Sequence, residues 1–198
     1  MESLIPLLKT AGYLGVFGII FAETGLLVGV VFPGDTLLFS GGLLASQGHF
    51  NLGLFIAVTS VASILGDSLG YVTGKKFGPK IFNREESAFF KKSYIHKAEA
   101  FFKKHGQKTI LFARYVPIVR TFAPLIAGVA KMPYRGFVVY NVFGGILWCA
   151  SVTFLGYYFG TRIPNIDRII LPMILGVVAL SFVPALIEIW NRSRGPRP

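Results

Sequence analysis

The sequence predicts an all-α integral membrane protein: an inverted repeat of two re-entrant broken-helix hairpins, each followed by a transmembrane helix, with one more transmembrane helix at the C-terminal end. Three observations predict it. Of 198 residues, 53% are hydrophobic, with 23 glycines and a mean hydropathy of +0.61, which is too apolar for an ordinary soluble domain. Opposite charges lie inside apolar runs that helix breakers interrupt: Glu23 and Asp35 around Pro33-Gly34, then Arg114 and Arg120 among Pro117 and Pro124. Most basic residues collect in the connections between apolar runs.

Residues 11–46 form the first broken segment. The run 11–31 is apolar except for Glu23, Phe32-Pro33-Gly34-Asp35 interrupts it, and Thr36–Ala45 resumes. A hairpin that dips to mid-membrane and returns fits this break, provided protein or a wet cavity surrounds it. Residues 52–74 make a full crossing with Asp67 as its one charge. Residues 75–108 carry ten lysines and arginines, among which Phe89, Phe90, Tyr94, Ala98, Phe101 and Phe102 recur at roughly helical spacing. That pattern reads as an amphipathic helix on an anionic surface, or as a basic linker whose aromatics pack on the protein. Residues 109–130 form the second broken segment. Crossings follow at 137–160 and 168–190, each near the ~20 apolar residues a bilayer requires. The single domain then ends in a short basic tail. The start, MESLIPLLKT, lacks a basic n-region and no A-x-A site follows, so no signal peptide is expected.

Charge placement decides between a hairpin and a crossing at 109–130. With a hairpin, the 75–108 connection, Lys131, Arg135 and the tail share one side and hold fifteen of the twenty basic residues. The excess marks that side as cytoplasmic. A full crossing would put the basic connection and the tail on opposite sides. The internal repeat agrees with the hairpin: Leu69-Gly70-Tyr71-x-x-Gly74 recurs as Leu155-Gly156-Tyr157-Tyr158-Phe159-Gly160, and the same offset of 86 aligns Gly42 with Gly128. An odd number of crossings per half inverts the second copy.

The intramembrane charges are the candidate site. A charge at mid-bilayer costs about 2.5–3.5 kcal/mol on insertion scales, so such residues default to function. Unwound backbone near Pro117 and Pro124 lets Arg114 and Arg120 converge on one cavity. Arginine presents a planar fork of donors that suits phosphate oxygens, whereas a buried carboxylate can take and release a proton. Arg114 and Arg120 are therefore the candidate phosphate ligands, and Glu23 and Asp35 the candidate proton carriers. Alternatively, the four simply pair as buried salt bridges that hold the hairpins together. Asp67 is either a third protonatable site or a cap near a helix end. Asn141 and Trp148 read as packing and interface residues.

Other chemistries lack support. His49, His96 and His105 fall in connections and make no metal-ligand set, and the lone Cys149 allows no intrachain disulfide. No H-E-x-x-H, G-x-S-x-G or P-loop is present, so neither an enzyme nor a cofactor is expected. The +11 charge sits beside apolar spans, where it points to anionic lipid rather than nucleic acid.

Phe21-Ala22-Glu23-Thr24-Gly25, Phe32-Pro33-Gly34-Asp35, Gly66-Asp67 and the run Phe112-Ala113-Arg114-Tyr115-Val116-Pro117-Ile118-Val119-Arg120-Thr121-Phe122-Ala123-Pro124 resemble the DedA family, also called SNARE-associated or VTT-domain proteins. The similarity extends over nearly the whole chain. It implies a bacterial inner-membrane protein with two re-entrant hairpins and lipid translocation as the activity, with undecaprenyl phosphate or phospholipids as substrates and dependence on the proton-motive force. It also implies that Glu23 and Asp35 are the family's essential acids, and Arg114 and Arg120 its essential arginines. The expectation is a translocase for a phosphate-bearing lipid, with an anionic phospholipid or polyprenyl phosphate and protons as partners. A proton-coupled exporter of small cations and a phospholipid scramblase are the alternatives. Oligomeric state stays open.

Overall fold

A computed structural model describes residues 4–25, 34–81, 106 and 108–162. The break at 26–33 with Pro33, most of the 75–108 connection, the span expected at 168–190 and the tail lie outside the described residues. What is described is helical: α1 (Leu4–Gly25), α2 (Gly34–Ser46), α3 (Leu52–Ile81), α4 (Thr109–Ala113), α5 (Pro117–Val129) and α6 (Tyr134–Arg162).

Among the described residues, two helices are long and apolar enough to cross a bilayer. Leu52–Gly78 of α3 and Tyr134–Arg162 of α6 are 27 and 29 residues long. At 1.5 Å per residue each reaches about 40 Å, beyond the ~30 Å hydrocarbon core. Their outward faces are apolar. Leu54, Val61, Leu65 and Val72 are exposed along α3, and Val139, Phe143, Leu147 and Phe154 along α6. These recur at intervals of four, seven or so, the spacing of one helical face. Continuous exposed apolar stripes of this length are the surface a lipid-facing helix needs, not that of a buried core helix. Both helices outrun the sequence boundaries of 52–74 and 137–160. Lys75 and Lys76 lie on α3 itself and so belong to the helix rather than to a separate connection.

Local chemistry fixes the ends of several helices. Asn51 caps α3 by accepting the Leu54 N–H through Oδ1 at 3.0 Å, and the Asn51 N–H donates to Tyr13 Oη at 2.9 Å. At the end of α2, the N–H groups of Gly48 and His49 close back onto the Ala45 and Leu44 carbonyls, with Gly48 left-handed at φ 79°. The end of α5 closes the same way, Lys131 and Met132 donating to Gly128 and Ala127, and here Lys131 takes the left-handed place at φ 51°. Pro117 opens α5, where its missing N–H costs nothing. Pro124 does not break the backbone as expected from the sequence. α5 runs through it, and its ring is buried near Gly70 of α3, so tight packing sustains the one lost hydrogen bond.

Glycines let two pairs of helices meet backbone to backbone. In α2 against α6, a β-carbon on Gly42 would strike Thr153 O, and one on Gly156 would strike Phe39 O. In α5 against α3, a β-carbon on Gly128 would strike Tyr71 O, and one on Gly74 would strike Leu125 O. The same crossing is made twice, each time between a short helix from one half of the chain and the long helix from the other. Gly42 and Gly128 stand 86 residues apart, as read from the sequence. The long helices match at 82, Gly74 with Gly156, because contact geometry rather than the repeated Leu-Gly-Tyr lettering sets their register.

Two apolar clusters bracket the interior. One joins Tyr71, Ile110, Ala123, Ala127 and Phe137. The other joins Ile20, Leu38, Phe55, Ala62 and Cys149. Along α3 they fall at either end of the stretch 63–67, and along α6 at either end of 141–148. The two long helices thus run antiparallel, and the polar residues lie near the middle of both.

Candidate functional site

The first cluster centres on Arg120, in the opening turn of α5. Its Nη1 donates to Asp35 Oδ1 at 2.6 Å and its Nη2 to Glu23 Oε1 at 2.7 Å, so one guanidinium serves both acids of the first broken segment. Its Cζ lies 4.6 Å from the centre of the Trp148 ring, a cation–π contact. Trp148 Nε1 donates to the same Asp35 oxygen at 2.9 Å. The Arg120 and Glu23 side chains are 10% and 2% exposed, whereas that of Asp35 is 48% exposed. The cluster is closed on one side and open at Asp35.

The second cluster centres on Arg114, in the turn between α4 and α5. Its guanidinium donates to Asp67 and to Asn141 Oδ1 through Nη2, and to Ser63 Oγ at 2.7 Å through Nη1. Asn141 in turn donates through Nδ2 to Ile64 O at 3.1 Å, which fixes its amide orientation. The Arg114 side chain lies over Gly144 and Gly145, where a β-carbon on Gly144 would come within 2.9 Å of its Cδ. Arg114 is only 4% exposed.

The two clusters meet. Glu23, Thr24, Asp67, Arg114, Arg120, Thr121 and Trp148 line one cavity of about 10 Å³, the size that admits roughly one water molecule. Close approach of α1 to α3 makes this possible: a β-carbon on Gly25 would lie 3.1 Å from Gly66 O, bringing Glu23 and Asp67 to the same space. Two acids and two arginines therefore share one interior cavity, with the third acid, Asp35, reaching it through Arg120. Removing one partner of such a buried pair costs about 3–5 kcal/mol, because it leaves a charge uncompensated. A second anion can enter only where an acid gives way.

The structure thus brings Glu23, Asp35, Asp67, Arg114 and Arg120 into one site, with Gly34 against Glu23 at its edge. It divides them in a way the sequence did not. Both Glu23 and Asp35 bind Arg120, and Arg114 takes Asp67. Asp67 is not a cap near a helix end, since it sits in the middle of a 30-residue helix. Asn141 and Trp148, read from sequence as packing and interface residues, are buried, Trp148 within the second apolar cluster, and are also polar members of the site, which Ser63 joins. Their signal was present: Asn141, Gly144, Gly145 and Trp148 follow the i, i+3, i+4, i+7 pattern of one helical face. Among the described residues no group of His, Cys, Asp and Glu is arranged to hold a metal ion.

Comparison with known proteins agrees with this architecture. The VTT domain matches residues 32–158. The chain is 44% identical to the protein DedA of Escherichia coli (strain K12) over 92% of its own length and 84% of that protein's. It is 43% identical to an uncharacterised membrane protein of Mycobacterium leprae (strain TN), over 89% and 78% of the two lengths. It is 33% identical to the inner membrane protein YghB of Escherichia coli (strain K12), over 82% and 74%. No solved structure matches the chain. With the VTT domain covering every charged member of the two clusters except Glu23, together with most of the two long apolar helices, the chain belongs to the VTT-domain, or DedA, family of membrane proteins.

Proposed function

We propose that the protein is a lipid translocase that moves a phosphate-bearing lipid between membrane leaflets, with undecaprenyl phosphate the leading substrate and with proton-motive force linked to the step. The observation that carries this reading is Arg120: its fork is shared by two carboxylates in an apolar interior, and one of them, Asp35, opens outward. A planar fork presented at the edge of a membrane interior suits a phosphate oxygen pair. Arg120 is the first ligand of the headgroup, and Arg114 the second positive charge behind it. Glu23, Asp35 and Asp67 neutralise the arginines when no substrate is bound and take protons during the cycle. The acyl or prenyl tail stays in the bilayer throughout.

The fold that goes with this function is an inverted pair of re-entrant hairpins, and the twice-made glycine crossing supports it. The cell inner membrane is the proposed location, with the basic 75–108 connection and the C-terminal tail on the cytoplasmic side by the positive-inside rule. A second reading, a proton-coupled exporter of small cations, is favoured by one observation: the site holds three acids against two arginines.

Leaflet exchange of undecaprenyl phosphate in liposomes that hold the purified protein, with and without a proton gradient, tests the proposal. Protein-dependent exchange, lost on Arg120→Ala, is the expected result. Exchange of phosphatidylethanolamine at an equal rate would favour a general scramblase. No exchange of either lipid would overturn the translocase and leave the cation exporter.

A further inference from the structure

We infer that the Asp35 carboxylate occupies the subsite of the substrate's phosphate, and that Trp148 is a ligand of that phosphate. The inference rests on the translocase reading and goes beyond it, by stating which group the substrate displaces and which donors it gains. Asp35 Oδ1 accepts two converging hydrogen bonds, from Arg120 Nη1 at 2.6 Å and from Trp148 Nε1 at 2.9 Å. An anionic oxygen held by a guanidinium and an indole N–H is what one oxygen of a bound phosphate monoester would require. Asp35 is also the one member of the cluster with a half-exposed side chain, so it is the acid an incoming group reaches first. Glu23 is sealed and keeps the other arm of the fork.

Trp148 has no other polar role among the described contacts. Its ring lies under the Arg120 guanidinium, and its N–H points to the Asp35 oxygen. When Asp35 leaves, that N–H is buried without an acceptor unless the substrate supplies one, which costs free energy. Indole and guanidinium together then form a two-donor seat of fixed geometry. Arg114 is not the equivalent: Asp67, Asn141 and Ser63 already occupy both its Nη groups, only its Nε lacks a partner, and it is closed from outside.

The test is binding rather than transport, because the inference makes the two move in opposite directions. The full chain in detergent is titrated with undecaprenyl phosphate, with undecaprenol as the phosphate-free arm and inorganic phosphate as the tail-free competitor, and bound lipid is counted by native mass spectrometry. Asp35→Ala and Asp35→Asn should each bind undecaprenyl phosphate about tenfold tighter than wild type while exchanging it more slowly. Trp148→Phe keeps a ring under Arg120 but loses the N–H, and should bind about fivefold more weakly. Undecaprenol should be indifferent to all three changes, and inorganic phosphate should compete with the lipid. A purely structural Asp35 would give unchanged or weaker binding on substitution, and that result overturns the inference, as does an unchanged affinity in Trp148→Phe. If wild type exchanges the lipid but its Asp35 variants bind it no better, this inference falls and the translocase stands. If neither binding nor exchange occurs, both fall.

Discussion

The α-carbon of Gly34 rests against the carboxylate of Glu23. A β-carbon built there would come within 2.5 Å of Glu23 Cδ and 2.6 Å of Oε1. Glycine at the start of α2 thus sets the spacing between Glu23 and the adjacent Asp35, and so lets one guanidinium bind both. Gly34→Ala is expected to push the two acids apart and to lower lipid exchange about tenfold or more, since one charge-assisted hydrogen bond to Arg120 is lost. Gly15→Ala, on α1 with nothing near its β-carbon, is the matched control and should leave exchange unchanged. Equal activity in the two variants would mean that the close contact has no functional role.

Arg120→Lys keeps the charge but replaces a planar fork with a single ammonium. It cannot hold Glu23 and Asp35 in the observed geometry, nor stack flat on Trp148. Exchange should fall to a small fraction of wild type with the protein still folded, as judged by helical content and elution in detergent. Full activity would remove the planar guanidinium fork from the mechanism.

Glu23 is expected to carry the pH response. Protonating it frees one arm of Arg120, so acid pH should favour phosphate binding over the internal pair, and alkaline pH should restore the pair. Glu23→Gln imitates the protonated acid at every pH. Its exchange rate should therefore vary little with pH, near the level wild type reaches at the acid end. A pH profile as steep as that of wild type would take Glu23 out of proton coupling.

The Arg114–Asp67 pair should show itself in stability. Asp67→Ala leaves a buried guanidinium without its carboxylate and should lower unfolding stability by about 3–5 kcal/mol in mixed micelles, read from denaturant midpoints. The apolar double variant Arg114→Met with Asp67→Leu should recover most of that loss, because it leaves no charge behind. If the double variant is no more stable than Asp67→Ala, the pair holds its neighbours by something other than charge.

Much of this site was legible in the sequence, for a physical reason. Charges in apolar runs are costly, so Glu23, Asp35, Asp67, Arg114 and Arg120 stood out without any structure. Which acid meets which arginine was not legible, since it depends on how α1 and α2 close around the start of α5. Asn141 and Trp148 escaped because an uncharged polar residue in an apolar helix costs little to leave unexplained. Pro124 misled for the opposite reason: its local tendency to break a helix yields to burial near Gly70. The repeat was visible in Gly42 and Gly128, but its register on the long helices was not, because Leu-Gly-Tyr matches in letters where the contacts match at Gly74 and Gly156.

The paired glycine crossings fasten the short helices to the long ones. α2 rides on α6, and α5 rides on α3, each fastened where carbonyls of one helix touch glycines of the other. Asp35, Asn141 and Trp148 stand on the first of these pairs, whereas Ser63, Asp67 and Arg120 stand on the second. The contacts Arg120–Asp35 and Arg120–Trp148 therefore run between the two pairs, not within one. Whatever widens the central cavity must unzip these contacts and can leave the backbone crossings whole. On the translocase reading, the cargo's own charge is the wedge that parts these contacts.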